Sequence, residues 1–192
     1  MTAIDRASPL VWIDCEMTGL DAKSDVILEI FCIITNGQLE VLDEVGWGAV
    51  IQQPKETLDN MGEWCTRVHG QSGLTAAVLS SITSPEEAAH ELLCYVKKFV
   101  PEPRTALLAG NSVHADKLFL REEPYREFHD YLHYRIFDVS TIKEAANRWS
   151  PKKILESLPR KTSCHKARND ILESIEEARY YKEMIFQHNG GN

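Results

Sequence analysis

The dipeptide Asn36-Gly37 constrains the fold of this sequence more than any other feature, because it separates two apolar runs rich in β-branched residues. Asn-Gly between such runs is the strongest short-range signal for a β-hairpin. It predicts that Leu39–Ile51 returns antiparallel to Val26–Thr35. A third apolar run, Leu10–Met17, precedes this pair and predicts a buried strand that ends in the turn Thr18-Gly19.

Helical signals alternate with short apolar runs in the remainder of the chain. Because strands separated by helices pair in parallel through crossovers, this order predicts an α/β fold with a mixed sheet. The predicted elements are a helix from Ser84-Pro85 to Pro101, a strand over Ala106–Ala109, a helix capped by Ser112, a strand over Tyr134–Phe137, a helix from Asp138 or Ser140 to Trp149, and a helix over Ile171–Ile185.

Length and charge restrict the classes of function. The 192 residues, of which 43% are apolar, predict one domain over 1–192, with a core over about 9–187 and a flexible tail over 188–192. No apolar run approaches the roughly 20 residues that span a bilayer. The net charge of −8 argues against binding long nucleic acid through overall electrostatics. A polyanionic ligand is therefore expected to be small, or to be held by metal ions and a few donors.

Cysteine usage predicts an intracellular protein. The five cysteines are widely spaced and form no CxxC pair, so neither a zinc site nor a disulfide framework is expected. Met1–Pro9 lacks the apolar segment of a signal peptide. Removal of a targeting segment from the chain stays open.

Asp14 and Glu16 are the first candidate site residues. The period of two along a strand places both carboxylates on one face, where they repel each other unless a cation lies between them. Their position on a strand without turn signals favours a metal site. A solvated strand face is the alternative.

Three further residues complete a candidate acidic site. Asp116 follows the turn Gly110-Asn111-Ser112, near the start of a helix that leaves the carboxyl end of a strand. His165 is expected in a loop, and Asp170 in the first turns of the last helix. Each acid is also explained by the favourable dipole at a helix N-terminus, and His165 by a surface position. The combination, rather than any one residue, indicates a shared site.

The order of these motifs resembles the DEDDh 3′–5′ exonucleases of the ribonuclease H-like superfamily, and longer runs look like their oligoribonuclease family. The resemblance covers Leu10 to about Tyr181. Departures are Gly62, where the family often has an acid, and Arg168-Asn169, where Leu-Asp is usual. The runs are 12–20, 27–30, 64–69 with 72–74, 109–116, and 133–135 with 138–144.

The resemblance implies a three-layer ribonuclease H-like fold with a mixed five-stranded sheet flanked by helices. It implies hydrolysis of very short RNA, especially dinucleotides, from the 3′ end to 5′ mononucleotides. Two divalent cations per site, Mg²⁺ or Mn²⁺, would be held by Asp14, Glu16, Asp116 and Asp170, with His165 as general base. Contacts with the bases or the rest of the substrate are implied for Leu20, Trp64, His69 and Tyr134. Binding of the substrate's 5′ phosphate is implied for Ser112, Arg135, Ser140 and Thr141.

In the family, Tyr134 and Arg135 come from the partner subunit, so a homodimer would complete each active site. The expected location is the cytoplasm, with a mitochondrial pool also open. Alternatives are another DEDDh exonuclease of the proofreading or tRNA-trimming type, a metal-dependent phosphatase, and a non-catalytic RNA-binding scaffold. The W-x-x-x-x-H run at Trp64 argues against the first, and the presence of all five catalytic positions argues against the scaffold.

Overall fold

In the computed structural model, which describes residues 8–159 and 167–187, five strands form one mixed sheet. Numbered in chain order, the strands lie side by side in the order β3-β2-β1-β4-β5. The first three strands pair antiparallel, and the last two run parallel to the first, as the sequence predicts. The strands are β1 (Leu10–Met17), β2 (Ile27–Thr35), β3 (Trp47–Val50), β4 (Leu107–Gly110) and β5 (His133–Asp138).

Helices fill the connections between these strands. Ser84 caps α4 by accepting a hydrogen bond from the backbone N–H of Glu87, and Asp138 caps α7 by accepting one from Ser140. Both starts are as predicted. The helices are α1 (Lys55–Asp59), α2 (Glu63–Ser72), α3 (Leu74–Ser80), α4 (Pro85–Phe99), α5 (His114–Leu120), α6 (Arg126–Tyr131), α7 (Val139–Trp149), α8 (Lys152–Glu156) and α9 (Ala167–Tyr181), which continues as a π-helical turn over Lys182–Gln187.

The sheet lies between two helical layers, because successive side chains of β1 point to opposite faces. Val11, Ile13 and Cys15 pack in the core formed with α4, α5 and α6. Trp12 packs on the other face, in the core formed with α7 and α9. Asp14 and Glu16 share the parity of Trp12, so they project toward the α9 side of the sheet.

Two local predictions are wrong. The chain returns from β2 through a long loop, with an isolated bridge between Thr35 and Val41, and β3 covers only the end of the predicted Leu39–Ile51 strand. Ser112 does not cap α5: it adopts a left-handed φ of 52°, and Val113 occupies the cap position. The reason is tertiary, because the backbone N–H of Ser112 donates to Asp138 at the end of β5.

Several expectations fall on parts of the chain outside the described residues. His165 and Cys164 lie in the segment 160–166, and the predicted flexible tail is 188–192. Across residues 8–159 and 167–187, no helix has both the length and the apolar character needed to cross a membrane.

Candidate active site

Three carboxylates meet where the carboxyl half of β1 faces the first turn of α9. Asp14, Glu16 and Asp170 each offer an oxygen, and these oxygens lie within 4.8 Å of one another. Strand alternation supplies the first two, and the position of Asp170 in the first turn of α9 supplies the third. This is the arrangement that the sequence predicts for these three residues.

Asp116 approaches the same strand from α5. One of its oxygens accepts a hydrogen bond of 2.9 Å from the backbone N–H of Cys15, which ties α5 to the strand between Asp14 and Glu16. Asp116 is 6% exposed and stands outside the group of three oxygens within 4.8 Å. The position predicted for it, after the carboxyl end of β4, is confirmed.

Burial and mutual repulsion make this cluster unfavourable in its ionised form. Burial raises the pKa of Asp14 well above its ordinary value, and the nearby charges of Asp116 and Glu16 raise it further. The pKa of Glu16 is raised to about 7, first by burial and then by Glu29. Burial also raises the pKa of Asp116 to about 7, although the N–H of Cys15 opposes this shift.

Glu29 is a neighbour that the sequence reasoning missed. It lies directly opposite Glu16 in the antiparallel pairing of β1 with β2. Like charges opposite each other in a sheet are destabilising. The sequence predicts that the early strands pair antiparallel, but the register of β1 against β2 was needed to find this contact.

The donor set fits hard divalent cations. Mg²⁺ and Mn²⁺ prefer carboxylate oxygens, and a cation among Asp14, Glu16 and Asp170 would offset the repulsion that raises the pKa of Asp14. Asp116 stands next to this group, held at Cys15, so it is available as a further ligand. The carboxylate oxygens of this site are therefore suitable ligands for a divalent metal ion.

His69 supports the same strand from α2. Its ring is 1% exposed; Nε2 lies 2.9 Å from the carbonyl oxygen of Met17, and Nδ1 lies 3.8 Å from Glu16. The ring faces the end of β1 rather than solvent. Its predicted contact with substrate stays a prediction.

Leu20 and Trp64 are apolar side chains exposed near the end of β1. Leu20 is 78% exposed in the loop that follows β1, and Trp64 is 55% exposed on α2. Asp25, which the sequence reasoning missed, organises the Leu20 loop: its carboxylate accepts from the hydroxyl of Thr18 at 2.8 Å and from the N–H of Asp21 at 3.0 Å. A Cβ at Gly19 would lie 2.4 Å from this carboxylate.

A group of hydroxyls lies at the carboxyl ends of β4 and β5. The backbone N–H groups of Ser112 and Ser140 both donate to Asp138 at 3.0 Å, and the two serine hydroxyls lie 3.1 Å apart. Thr141 follows on the exposed first turn of α7. The structure thus brings together Ser112 and Ser140, two of the four residues predicted to bind a 5′ phosphate, and Thr141 is the next residue of α7.

The fourth, Arg135, lies elsewhere on the same strand. Tyr134 and Arg135 are exposed near the start of β5, and the guanidinium lies 5.3 Å from the Tyr134 ring. Asp138 at the other end of β5 is aligned with Gly110 of β4. The three residues from Arg135 to Asp138 span roughly 10 Å of strand. Within one chain these side chains are therefore not grouped with the serines.

Comparison with known proteins identifies the class to which this sheet and its carboxylate cluster belong. Residues 11–178 match the family model described as Exonuclease, RNase_T. The oligoribonuclease of Bos taurus, named mitochondrial, is 47% identical over 181 residues, covering 94% of this chain and 75% of that protein. An oligoribonuclease of Colwellia psychrerythraea is 44% identical over 180 residues, covering 94% of this chain and 97% of that protein.

Solved structures agree on the fold. Exonuclease I of Methylocaldum szegediense superposes with a TM-score of 0.69 at 17% identity over 93% of this chain. A zinc-bound complex of E. coli exonuclease I with single-stranded DNA gives a TM-score of 0.70 at 16% identity over 92% of this chain. This chain spans 41% of each of those proteins. The shared architecture is the ribonuclease H-like fold.

The chain belongs to the oligoribonuclease family of exonucleases. It is accordingly a hydrolase that cleaves phosphodiester bonds.

Proposed function

We propose that this protein is a metal-dependent 3′-to-5′ exoribonuclease that hydrolyses very short RNA, above all dinucleotides, to 5′ mononucleotides. The observation that carries the proposal is the group of three carboxylates whose oxygens lie within 4.8 Å of one another at the end of β1. The oligoribonuclease relatives support short RNA as the substrate class.

Two divalent cations, Mg²⁺ or Mn²⁺, would be held by Asp14, Glu16, Asp116 and Asp170 and would supply an activated water and stabilisation of the leaving oxygen. In the reaction the water oxygen bonds to phosphorus, and the bond from phosphorus to the 3′ oxygen breaks. His165, outside the described residues, is proposed to accept the proton of the water, since its ordinary pKa is near neutral. The 3′ oxygen takes up a proton and leaves as a hydroxyl.

The surroundings of the acids suit a short substrate. Leu20 is proposed to insert between two bases and Trp64 to stack on one, because both are apolar and exposed, Leu20 in the loop after β1 and Trp64 on the helix whose His69 contacts the end of β1. His69 holds the strand end at Met17 and lies near Glu16. The chain carries a net charge of −8, which disfavours tracking along a long RNA backbone.

Recognition of the 5′ phosphate is proposed to select the length. The hydroxyls of Ser112 and Ser140 lie together at the sheet end, and with Thr141, the next residue of α7, they would surround a phosphate. Arg135 would add a bidentate pair of hydrogen bonds that a lysine does not reproduce. A site that encloses the 5′ phosphate in this way leaves no room for further nucleotides beyond that end of the substrate.

The position of Arg135 supports a homodimer in which each site is completed by the partner. Arg135 lies roughly 10 Å along β5 from Asp138, and Asp138 holds the serines. In this proposal, the phosphate at the serines is bound by Arg135 of a second copy of the chain. The exposed outer edge of β5, with Tyr134, is available for such a contact.

The location inside the cell is part of the proposal. The relatives from Bos taurus and Homo sapiens are named mitochondrial, whereas the Colwellia psychrerythraea relative is bacterial. We propose that this protein acts in a mitochondrion or in the cytoplasm. Fractionation of cells that express the chain with a C-terminal tag would test this.

One assay tests the activity. Purified protein with Mg²⁺ or Mn²⁺ is given a 5′-phosphorylated dinucleotide, a 24-residue RNA and a phosphomonoester, and products are followed over time. Fast release of mononucleotides from the dinucleotide supports the proposal. Preferential trimming of the long RNA favours another type of exonuclease, hydrolysis of the monoester favours a phosphatase, and binding without products favours a scaffold.

Mixing two inactive variants tests the shared site. Arg135→Ala and Asp14→Asn proteins are each expected to lose most dinucleotide activity. After subunit exchange, half of the sites in a heterodimer would have both native halves, so activity should rise well above the sum of the two parents. Exchange verified by native mass spectrometry without any rise in activity would place Arg135 in the same chain as its site, or outside the site.

A further inference from the structure

A polar network joins the serines at the sheet end to helix α9. It begins at Ser140, passes through the side chain of Asn111, and ends at two residues of α9, Ser174 and Glu177. Asn111 directly follows β4, so a single side chain connects strand β4, helix α7 and helix α9. None of the roles proposed above uses this residue.

Both ends of the Asn111 carboxamide are engaged. Its oxygen accepts from the hydroxyl of Ser140 at 3.1 Å. Its nitrogen donates to the hydroxyl oxygen of Ser174 at 2.8 Å and to a carboxylate oxygen of Glu177 at 3.4 Å. At this position the side chain has to present an acceptor to Ser140 and donors to α9. An aspartate of the same shape has no donor, so it does not meet this requirement.

The far end of the network is a buried charge. Glu177 is 3% exposed, and it also accepts from the hydroxyl of Tyr181 at 3.1 Å and lies 3.7 Å from the ammonium of Lys143. A buried carboxylate is costly unless several donors satisfy it. Glu177 is thus one of two acceptors on α9 for the Asn111 amide, and a change at Asn111 leaves this carboxylate with one donor fewer.

The same network reaches the metal site. The hydroxyl of Ser174 donates to the backbone carbonyl of Asp170 at 2.7 Å, and its oxygen accepts from Asn111. Asp170 belongs to the group of three carboxylates. Only two hydrogen bonds thus separate the carboxamide of Asn111 from the backbone of a proposed metal ligand.

At the other end of the network, the number of hydroxyl protons defines the direction of the hydrogen bonds between Ser140 and Ser112. Ser140 has one hydroxyl proton and gives it to Asn111, so the proton between the two serines comes from Ser112. The Ser140 oxygen also accepts from the backbone N–H of Ser112 at 2.9 Å. Asn111 therefore fixes the direction of donation: the Ser112 hydroxyl gives its one proton to Ser140 in this structure, and it would rotate away from Ser140 to donate to an incoming phosphate.

We propose that Asn111 is a positioning residue that couples the 5′-phosphate subsite to helix α9, so that phosphate recognition and the placement of Asp170 depend on each other. The inference rests on the proposed function, because it takes the serine group as the phosphate subsite. It assigns the selection of phosphorylated ends to a residue that touches neither the phosphate nor the metal.

The test compares Asn111→Ala and Asn111→Asp with Asn147→Ala as the control. Asn147 is exposed on α7, and its amide donates only locally, to Glu144 at 3.4 Å. For each protein, kcat/KM is measured for a dinucleotide with a 5′ phosphate and for the same dinucleotide with a 5′ hydroxyl. The ratio of these two values reports recognition of the phosphate and is insensitive to a general loss of folded enzyme.

Both Asn111 variants are expected to lower this ratio about tenfold, mainly through KM for the phosphorylated substrate, whereas Asn147→Ala keeps the wild-type ratio. Adding Glu177→Gln to Asn111→Asp should restore much of the ratio, because the new amide donates to the new carboxylate at position 111. An unchanged ratio in Asn111→Ala would overturn the proposal, and so would a double variant that recovers nothing.

Hydrogen exchange provides a readout without catalysis. In the presence of EDTA, binding of the phosphorylated dinucleotide should slow amide exchange in the first two turns of α9 in the wild type and in Asn147→Ala, but not in Asn111→Ala. Equal protection in all three proteins would contradict the coupling. A wild type that hydrolyses no dinucleotide would instead refute the proposed function, and the exchange result would still decide the coupling.

Discussion

The substitution Asp14→Asn should stabilise the metal-free protein while it abolishes activity. Oxygens of Asp14 and its two neighbours lie within 4.8 Å of one another, a separation at which two charges repel by about 1 kcal/mol in water and about 3.5 kcal/mol at an effective dielectric constant of 20. Bound protons reduce this repulsion, since burial and the surrounding acids raise the pKa of Asp14. We expect a gain of about 1–3 kcal/mol in the free energy of unfolding.

Thermal melting in EDTA measures this gain. For a chain of this size the melting temperature should rise by about 2–10 °C. Saturating Mn²⁺ should reverse the order, because a ligand that binds the folded state stabilises it in proportion to its affinity, and the wild type has the complete donor set. Glu91→Gln, which removes an exposed charge on α4, is the control and should change neither melting curve appreciably.

The reasoning fails if Asp14→Asn melts below the wild type in EDTA. Such a result would mean that Asp14 makes a favourable contact in the metal-free protein rather than a repulsive one. It fails equally if Mn²⁺ stabilises both proteins to the same extent, because Asp14 would then not be a ligand.

Two further substitutions test the residues that support the site. Gly110→Ala places a Cβ 2.9 Å from the carbonyl oxygen of Ile13, next to Asp14. The resulting overpacking should lower the free energy of unfolding by about 1–3 kcal/mol and weaken Mn²⁺ binding in calorimetry. The control Gly70→Ala, whose Cβ would have nothing within 4 Å, should have neither effect, and equal effects at both glycines would refute the explanation. Asp25→Ala releases the hydrogen bonds that shape the Leu20 loop and should raise KM for dinucleotide about tenfold with kcat nearly unchanged in steady-state assays; an unaltered KM would show that the loop needs no such support.

Strand periodicity explains why the relative placement of Asp14 and Glu16 could be predicted from the sequence. Asp14 and Glu16 had to share a face once Leu10–Met17 was recognised as a strand, and the structure confirms this strand with the same limits. Asp116 and Asp170 do lie near the starts of helices, although local patterns misplaced both starts: Val113, not Ser112, precedes α5, and α9 begins at Ala167 rather than Ile171.

The wrong and missing parts depend on contacts between distant segments. Ser112 looked like a helix cap, but its backbone N–H is taken by Asp138, which is remote in sequence. Glu29 was missed because its position opposite Glu16 requires the register of β2. The short helices α1, α2 and α3 were not assigned, because helices of this length owe their stability to packing more than to local preference.

The delivery of Asp170 by α9 has a consequence for protein synthesis. The proposed cation site combines residues of β1 with a helix about 150 positions later in the chain. A nascent polypeptide that has formed the sheet still lacks one of the three clustered carboxylates, so the ribosome-bound chain should neither bind Mn²⁺ tightly nor cleave RNA. A truncated chain that stops before Ala167 would reveal this in calorimetry by the loss of the metal-binding signal. Helix α9 would thus complete the proposed nuclease site only after all the strands and helices that precede it have been synthesised.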